Sequence, residues 1–275
     1  MRLAVTVAYD GSDFRGWALQ KNERTVQGSL TKAVRLIVGE DIEIFGSSRT
    51  DSGAHAKGQV AHFDVPHGPP LGKWSEVLNK RLPPDIRILR IRETKPDFHA
   101  RFSTRSRFYR YRIAVADVDP FRARQVHGYG EPLDLEKMQA AAALLVGYHD
   151  FRAYTEELDP TVENTRRRLF SVDVRRVRDE VWVDVVGTAF LRGMMRRMAG
   201  ALLETGRGYR PVVEVSRLLD PEERRNVHPP VVLPAKGLCL MRVTYGRRLL
   251  DHRTTSLDHF PLPVATPDEA RPSAL

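Results

Sequence analysis

The chain has 275 residues, a formal net charge of +9, 41% hydrophobic and 29% charged residues, which suits one large soluble domain or two small ones. Its single cysteine, Cys239, excludes an intramolecular disulfide and a cysteine-based zinc cage and is typical of a cytoplasmic protein. We expect neither a membrane span nor a signal peptide, because no 18-residue apolar run occurs. The positive charge favours a nucleic-acid partner, with a general bias towards arginine as the alternative.

The first part of the chain predicts strands alternating with two helices. Residues alternate in polarity over Arg2–Tyr9, which predicts a strand, and Thr25 and Gly39 are typical of the two ends of a helix. Three more strands and a short helix follow in order: strands at Asp41–Phe45 and Gln59–Val65, a helix from Trp74 that stops before Pro83 and Pro84, and a strand at Ile86–Glu93.

The same order of elements returns in the second part of the chain. The predicted elements are a strand at Arg107–Ala116, a helix from the capping residue Asp134 to Gly147, a hairpin of Arg167–Val177 and Val181–Val186, a helix at about 191–205, and a strand at Leu238–Gly246.

This order is β-α-β-β-α-β twice, the pattern of ferredoxin-like or RRM-like units. We therefore predict an α+β fold with two such halves, residues 1–96 and 97–246, which share a mostly antiparallel sheet with helices on one face. Residues 247–275 are polar and rich in proline, and we expect a weakly ordered tail there.

The loop between the second and third predicted strands is long, about a dozen residues, and such connections are often functional. If the loop is extended, Arg49 and Asp51 project to the same side. A neighbouring positive charge favours the ionised carboxylate, and that form suits a nucleophile better than a general acid. The alternative is a turn-forming Asp beside a surface Arg, and the residues alone leave it open.

A metal site is a further alternative for this region. Five residues with suitable ligand atoms fall within seventeen positions: Asp51, His55, His62, Asp64 and His67. The histidines, however, lack the spacing of a helical metal motif, and strand alternation does not bring His67 to the face of the others. We therefore predict no metal and interpret His55 and His62 as hydrogen-bonding residues.

Two segments combine arginine with apolar or aromatic residues. In HARFSTRSRFYRYRI, the pattern is typical of RNA contact, so Arg107 and Arg110 are candidates for binding phosphate, while Tyr109 suits either the core or a base-stacking position. In GTAFLRGMMRRMAGALLE, Arg192 is a third candidate for RNA contact, and Arg196 lies near the apolar stripe of a helix, where an arginine needs a carboxylate partner or reaches outward.

Four blocks of the sequence together resemble the tRNA pseudouridine synthase A family along nearly the whole chain. In chain order they are YDGSDFRGW, RTDSGAHAKGQVAHF, DFHARFSTRSRFYRYR and AFLRGMMRRMAG. The resemblance implies that Asp51 is the catalytic carboxylate, that Tyr109 lines the uracil pocket and that Arg196 is the ion-pair partner of the aspartate. It also implies that Arg49 helps to extrude the target nucleotide. Ser52, Ala54 and Cys239 depart from the common residues of the family without removing a charged group.

The resemblance further implies conversion of uridine to pseudouridine at positions 38–40 of the tRNA anticodon arm, without a cofactor, by a homodimer. Three alternatives remain open: a non-catalytic RNA-binding protein on an RRM-like fold, a metal-dependent hydrolase of nucleic acid, and a pseudouridine synthase with other RNA targets.

Overall fold

The computed structural model describes residues 1–155 and 164–246. The predicted tail, 247–275, lies outside the described residues. Within the described part of the chain, no helix is long and apolar enough to cross a membrane.

Ten strands and five α-helices form the described structure. The strands are β1 (Arg2–Tyr9), β2 (Phe45–Gly46), β3 (His55–Asp64), β4 (Ile86–Glu93), β5 (Thr104–Ala114), β6 (His127–Gly128), β7 (Gly147–Asp150), β8 (Arg166–Val177), β9 (Glu180–Gly187) and β10 (Leu238–Tyr245). The helices are α1 (Val26–Val38), α2 (Trp74–Asn79), α3 (Leu135–Leu144), α4 (Met194–Gly206) and α5 (Val212–Arg217).

All ten strands belong to one sheet with the order β4-β1-β3-β10-β5-β9-β8-β7, in which β2 pairs with β3 and β6 pairs with β5. The first half contributes β4-β1-β3-β2 and the second half β10-β5-β9-β8, so each half has the strand order of a ferredoxin-like unit. Most pairs are antiparallel, as predicted. The α+β fold with two such halves is therefore confirmed.

A short parallel pairing joins the two halves. Cys239 pairs with His55 and Leu240 with Ala56, so β10 of the second half lies beside β3 of the first. Leu240 also pairs with Tyr109 of β5 on its other side. Ala56, Leu240 and Tyr109 therefore form a row across three strands at the centre of the sheet.

The helices pack with the sheet into one continuous core that spans both halves. Alternate residues of β5, among them Tyr109 and Tyr111, lie in this core, whereas Phe108 packs with Val186 and Met241 in a small second cluster. Helix α1 begins after Thr25, whose side chain accepts a hydrogen bond from Gly28 N at 3.2 Å, as its sequence predicts.

Several predicted boundaries were wrong. The strand predicted at Asp41–Phe45 is reduced to Phe45–Gly46, and β3 begins at His55 instead of Gln59, so the loop between them is shorter than expected. Gly147 starts a strand that the sequence did not predict, and α5 was also missed. Helix α4 begins three residues later than predicted, after Gly193, which has a φ of 68°.

Candidate active site

The loop of residues 47–54, here called the Asp51 loop, connects β2 to β3 and packs on the segment that follows β1. Trp17 N donates to Thr50 O at 3.1 Å, and Gly53 N donates to Phe14 O at 3.2 Å. Both aromatic side chains are buried, so these contacts fix the loop to the core. Gly16 has a φ of 90°, and a Cβ there would lie 2.7 Å from Thr50 O, so the close approach requires glycine.

A buried glutamine holds the start of the Asp51 loop. The Gln59 side chain, with no exposed surface, donates through Nε2 to Ser48 O at 2.6 Å and accepts through Oε1 from Ser48 N at 3.3 Å. The Ser48 hydroxyl in turn lies 2.6 Å from the Tyr109 hydroxyl. Gln59 therefore positions Ser48, and Ser48 links the Asp51 loop to β5 of the other half.

Asp51 and Arg196 come from different halves and form an ion pair. Arg196 Nη1 lies 3.4 Å from Asp51 Oδ2, and the side chains keep 19% and 25% of their surface exposed. Arg196 Nε also donates to Leu233 O at 2.6 Å, which fixes the guanidinium in place. The carboxylate is thus partly shielded from water yet still accessible, and shielding of this kind strengthens its interaction with the arginine.

Tyr109 is linked to the Asp51 loop through Ser48, and its buried ring makes a T-shaped contact with Phe190 at 4.9 Å between ring centroids. Burial raises the pKa of Tyr109 to about 12, opposed by its hydrogen bond to Ser48 and by the charge of Arg107, and increased further by the charge of Asp51. The phenol therefore keeps its proton at neutral pH and can donate a hydrogen bond.

The arginines predicted to contact RNA divide into two groups. Arg49 and Arg192 are exposed, as contact with a nucleic acid requires. Arg107 is buried, and its Nη2 donates to Ser47 O at 2.8 Å. Arg110 is buried in a two-bond ion pair with Asp184, at 2.6 and 2.8 Å.

The positions of Arg107 and Arg110 argue against phosphate contact by these two side chains. A buried guanidinium needs a fixed internal partner, and each of them has one. Arg107 supports the start of the Asp51 loop, whereas Arg110 also lies 3.8 Å from the Trp182 ring centroid. The prediction failed to foresee these partners because Asp184 and Ser47 are far away in the sequence.

Two histidines of the metal alternative, His55 and His62, form hydrogen bonds. His55 Nδ1 accepts from Gly11 N at 3.0 Å, and its Nε2 lies 2.9 Å from Arg124 O, which it reaches as a donor. Burial lowers the pKa of His55, which favours this neutral form against the opposing charge of Asp10. His62 Nδ1 accepts from Ala100 N at 3.2 Å. Among residues 1–155 and 164–246, no three His, Cys, Asp or Glu side chains are grouped to hold a metal ion.

Residues 5–103 and 141–246 match the family described as tRNA pseudouridine synthase. The chain belongs to this family. A tRNA pseudouridine synthase A of Brevibacillus brevis is 42% identical over 247 residues, which cover 89% of this chain and 99% of that protein. A protein of the same name from Limosilactobacillus fermentum is 42% identical over 89% of this chain and 96% of its own length. Another from Halalkalibacterium halodurans is 41% identical over 93% of this chain and 97% of its own length.

A solved structure of a Cbf5-Nop10-Gar1 complex contains a chain that aligns with 86% of this one and 57% of its own length. Its TM-score of 0.34 and identity of 9% are too low to support an argument about this pseudouridine synthase family member.

Proposed function

We propose that the protein isomerises uridine to pseudouridine at positions 38–40 in the anticodon arm of tRNA, with Asp51 as the catalytic carboxylate. The observation that carries the proposal is the pairing of Asp51 with Arg196 in a chain of the tRNA pseudouridine synthase family. The contact of Tyr109 with Ser48 of the Asp51 loop supports the assignment of Tyr109 to the same pocket.

The reaction breaks the bond between ribose C1′ and uracil N1 and forms a bond between C1′ and C5. The base turns between these two steps, C5 loses its proton and N1 gains one, so there is no net oxidation or reduction. Asp51 begins the reaction either by attacking C1′ or by removing the 2′ proton to form a glycal. Both routes need an ionised carboxylate next to the sugar, and Asp51 can supply it in either route.

Arg196 and Tyr109 have distinct roles in this mechanism. Arg196 stabilises the negative charge of Asp51 where water is partly excluded, and its bond to Leu233 O keeps it oriented while the substrate binds. Tyr109 lines the uracil pocket with its ring. The raised pKa keeps the phenol protonated before the substrate binds, and its hydroxyl assists loss of the C5 proton once the uracil lies in the pocket.

The target uridine must leave the RNA stack before Asp51 can reach its sugar, at a cost of a few kcal/mol. Arg49 lies two positions before Asp51 and is exposed, which supports a role for it in extruding the target nucleotide. The exposed Arg192 would contact the phosphate backbone, which suits recognition by shape at several adjacent positions. We also propose that a homodimer binds the tRNA and that the enzyme acts in the cytoplasm.

Substitution of Asp51 tests the proposal. We expect Asp51→Asn to lower turnover by about 10⁴-fold or more, because the amide is neither a nucleophile nor a base, and to leave tRNA affinity within about threefold. Release of tritium from tRNA labelled at uridine C5 measures turnover, and filter binding measures affinity. Asp41→Asn is the matched control, since Asp41 is 75% exposed and pairs with the exposed Arg35. Near-normal turnover of Asp51→Asn would refute the catalytic assignment.

Substrates with cytidine at position 38, 39 or 40 test the predicted target. We expect each replacement to remove the tritium release that belongs to its own position. Unchanged release from a substrate with cytidine at all three positions would point to other RNA targets. Exhaustive treatment with a chelator should leave turnover unchanged, whereas metal-dependent cleavage of the RNA without tritium release would favour the hydrolase alternative.

A further inference from the structure

Four aromatic rings form a contiguous cluster at the surface. Phe45 stacks on His62 with 5.0 Å between ring centroids and 21° between planes, and His62 lies 4.6 Å from His99. Phe102 continues the row at 4.3 Å from His99. We call Phe45, His99 and Phe102, with His62 beneath them, the aromatic shelf.

Hydrogen bonds fix the segment that carries the shelf. The buried His62 accepts from Ala100 N at 3.2 Å, so β3 holds the turn that follows His99. His99 Nδ1 accepts from Arg101 N at 3.2 Å and from Phe102 N at 3.3 Å. The turn is therefore ordered by its own contacts and not by burial of its largest side chain.

The outer part of the shelf faces solvent. Phe102 keeps 77% of its surface exposed and Phe45 keeps 36%. Leaving so much of an aromatic ring in water forgoes the free energy of burial, and exposed apolar surface of this kind commonly marks a binding site. The hydrogen bonds of the turn fix the position of Phe102, and its ring does not pack in the core.

The shelf adjoins the Asp51 loop. Phe45 belongs to β2, which continues directly into Ser47, and the Ser47 hydroxyl lies 2.8 Å from the Thr104 hydroxyl at the end of the turn. Arg107 ties the same region together through its bond to Ser47 O. The shelf is thus joined to the start of the Asp51 loop through Ser47.

Two basic side chains lie beside the exposed end of the shelf. The Arg101 guanidinium lies 5.8 Å from the Phe102 ring centroid, and the exposed Arg105 follows on the same segment. Arg2 donates to Phe98 O at 3.0 Å, next to His99, but its charge is paired with Asp64 at 2.7 Å. Flat rings among guanidinium groups are the combination that stacks on an unpaired base while pairing with its phosphate.

We propose that the aromatic shelf stacks an unpaired nucleobase of the substrate RNA. The inference rests on the proposed function for the identity of the RNA. The arginines beside the shelf favour a nucleic acid over an apolar protein segment, and the link of the shelf to the start of the Asp51 loop favours a nucleotide of the same RNA.

The test replaces Phe102 and measures tRNA binding and catalysis separately. We expect Phe102→Leu to raise the Kd and the KM for tRNA about 5- to 100-fold, because leucine keeps an apolar side chain but loses the stacking face, with kcat within about threefold. Phe102→Trp should restore binding. Phe121→Leu is the matched control, since Phe121 is 94% exposed on a different loop.

A 2-aminopurine placed at single positions of the anticodon loop reports the contact directly. We expect quenching at one position with the wild-type protein and loss of that quenching with Phe102→Leu. Wild-type affinity and quenching in Phe102→Leu would overturn the proposal, as would a changed oligomeric state in sedimentation without a change in RNA affinity. Because affinity and quenching do not require turnover, failure of the proposed reaction would be recognised separately, by absent tritium release from the wild-type protein.

Discussion

At the scale of single residues, the contact between the hydroxyls of Ser48 and Tyr109 is one that sequence patterns do not reveal. It lies 2.6 Å from the Tyr109 hydroxyl, and the buried amide of Gln59 fixes the Ser48 backbone. A phenol that is buried and protonated needs such a partner, because an unsatisfied buried hydroxyl costs about 1–3 kcal/mol. Ser48 therefore sets the orientation of Tyr109 in the proposed uridine pocket.

Ser48→Ala tests this role. We expect kcat to fall about tenfold, equivalent to about 1.4 kcal/mol, with a smaller change in KM, because the tyrosine hydroxyl loses its fixed direction. Tyr109→Phe supplies the second edge of a double-mutant cycle. In the Tyr109→Phe background, Ser48→Ala should have almost no further effect, and full additivity of the two substitutions would show that the hydroxyls do not act together.

For the charged residues of the candidate site, the sequence indicated which residues to consider, but it did not indicate which of them are buried. The charge argument and the resemblance together singled out Asp51 and Arg196, which do form an ion pair. Arg107 and Arg110 were predicted to contact RNA because their strand alternates with aromatic residues, yet both are buried. Their partners lie 60 and 74 positions away, and no local pattern contains that information.

At the scale of elements, local patterns predicted the bounds of β1 and β4 to the residue. They failed where a side chain, instead of a neighbouring strand, forms the hydrogen bonds of the backbone. The alternation in Asp41–Phe45 arises because Ile42 and Ile44 pack on the core. The Ile44 carbonyl, however, accepts a hydrogen bond from Gln27 Nε2 at 2.7 Å and does not pair with a strand. The early start of β3 depends on pairing with Tyr9 and with β10, which is non-local.

The contact between β3 and the turn after His99 leads to a prediction about pH. Burial lowers the pKa of His62 to about 4, with the charges of His99 and Arg2 acting in the same direction and that of Asp64 opposing them. The unfolded chain takes up a proton near the ordinary value of about 6.5, whereas the folded chain does so only near 4. The free energy of unfolding should therefore fall as the pH is lowered from 6.5 towards 4.

His62→Gln isolates this contribution, because glutamine can accept from Ala100 N but does not titrate. We expect the melting temperature of the wild-type protein to fall more between pH 7 and pH 4.5 than that of His62→Gln. Other histidines titrate in both proteins, so the difference between the two curves belongs to His62. Parallel curves would show that protonation of His62 is not resisted by the fold.

At the scale of the whole molecule, the site exists only where the two halves meet. Asp51 lies on a loop of the first half, and Tyr109 and Arg196 lie on β5 and α4 of the second. The parallel pairing of β3 with β10 sets their separation, because Leu240 pairs with Ala56 on one side and with Tyr109 on the other. We infer that a displacement of β10 from β3 alters the separation of Tyr109 from the Asp51 loop.

Gly58→Ala tests the junction, because a Cβ at Gly58 would lie 2.5 Å from Met241 O, a backbone atom that no side-chain rotation can move. We expect a loss of about 1–3 kcal/mol in stability, which lowers the melting temperature by about 4–10 °C. At 20 °C, where the protein remains folded, turnover should fall at least about tenfold, because a displaced β10 separates Tyr109 from the Asp51 loop. Gly72→Ala is the control, since a Cβ there meets no atom within 4 Å. Wild-type turnover in Gly58→Ala would show that the junction does not set the geometry of the site.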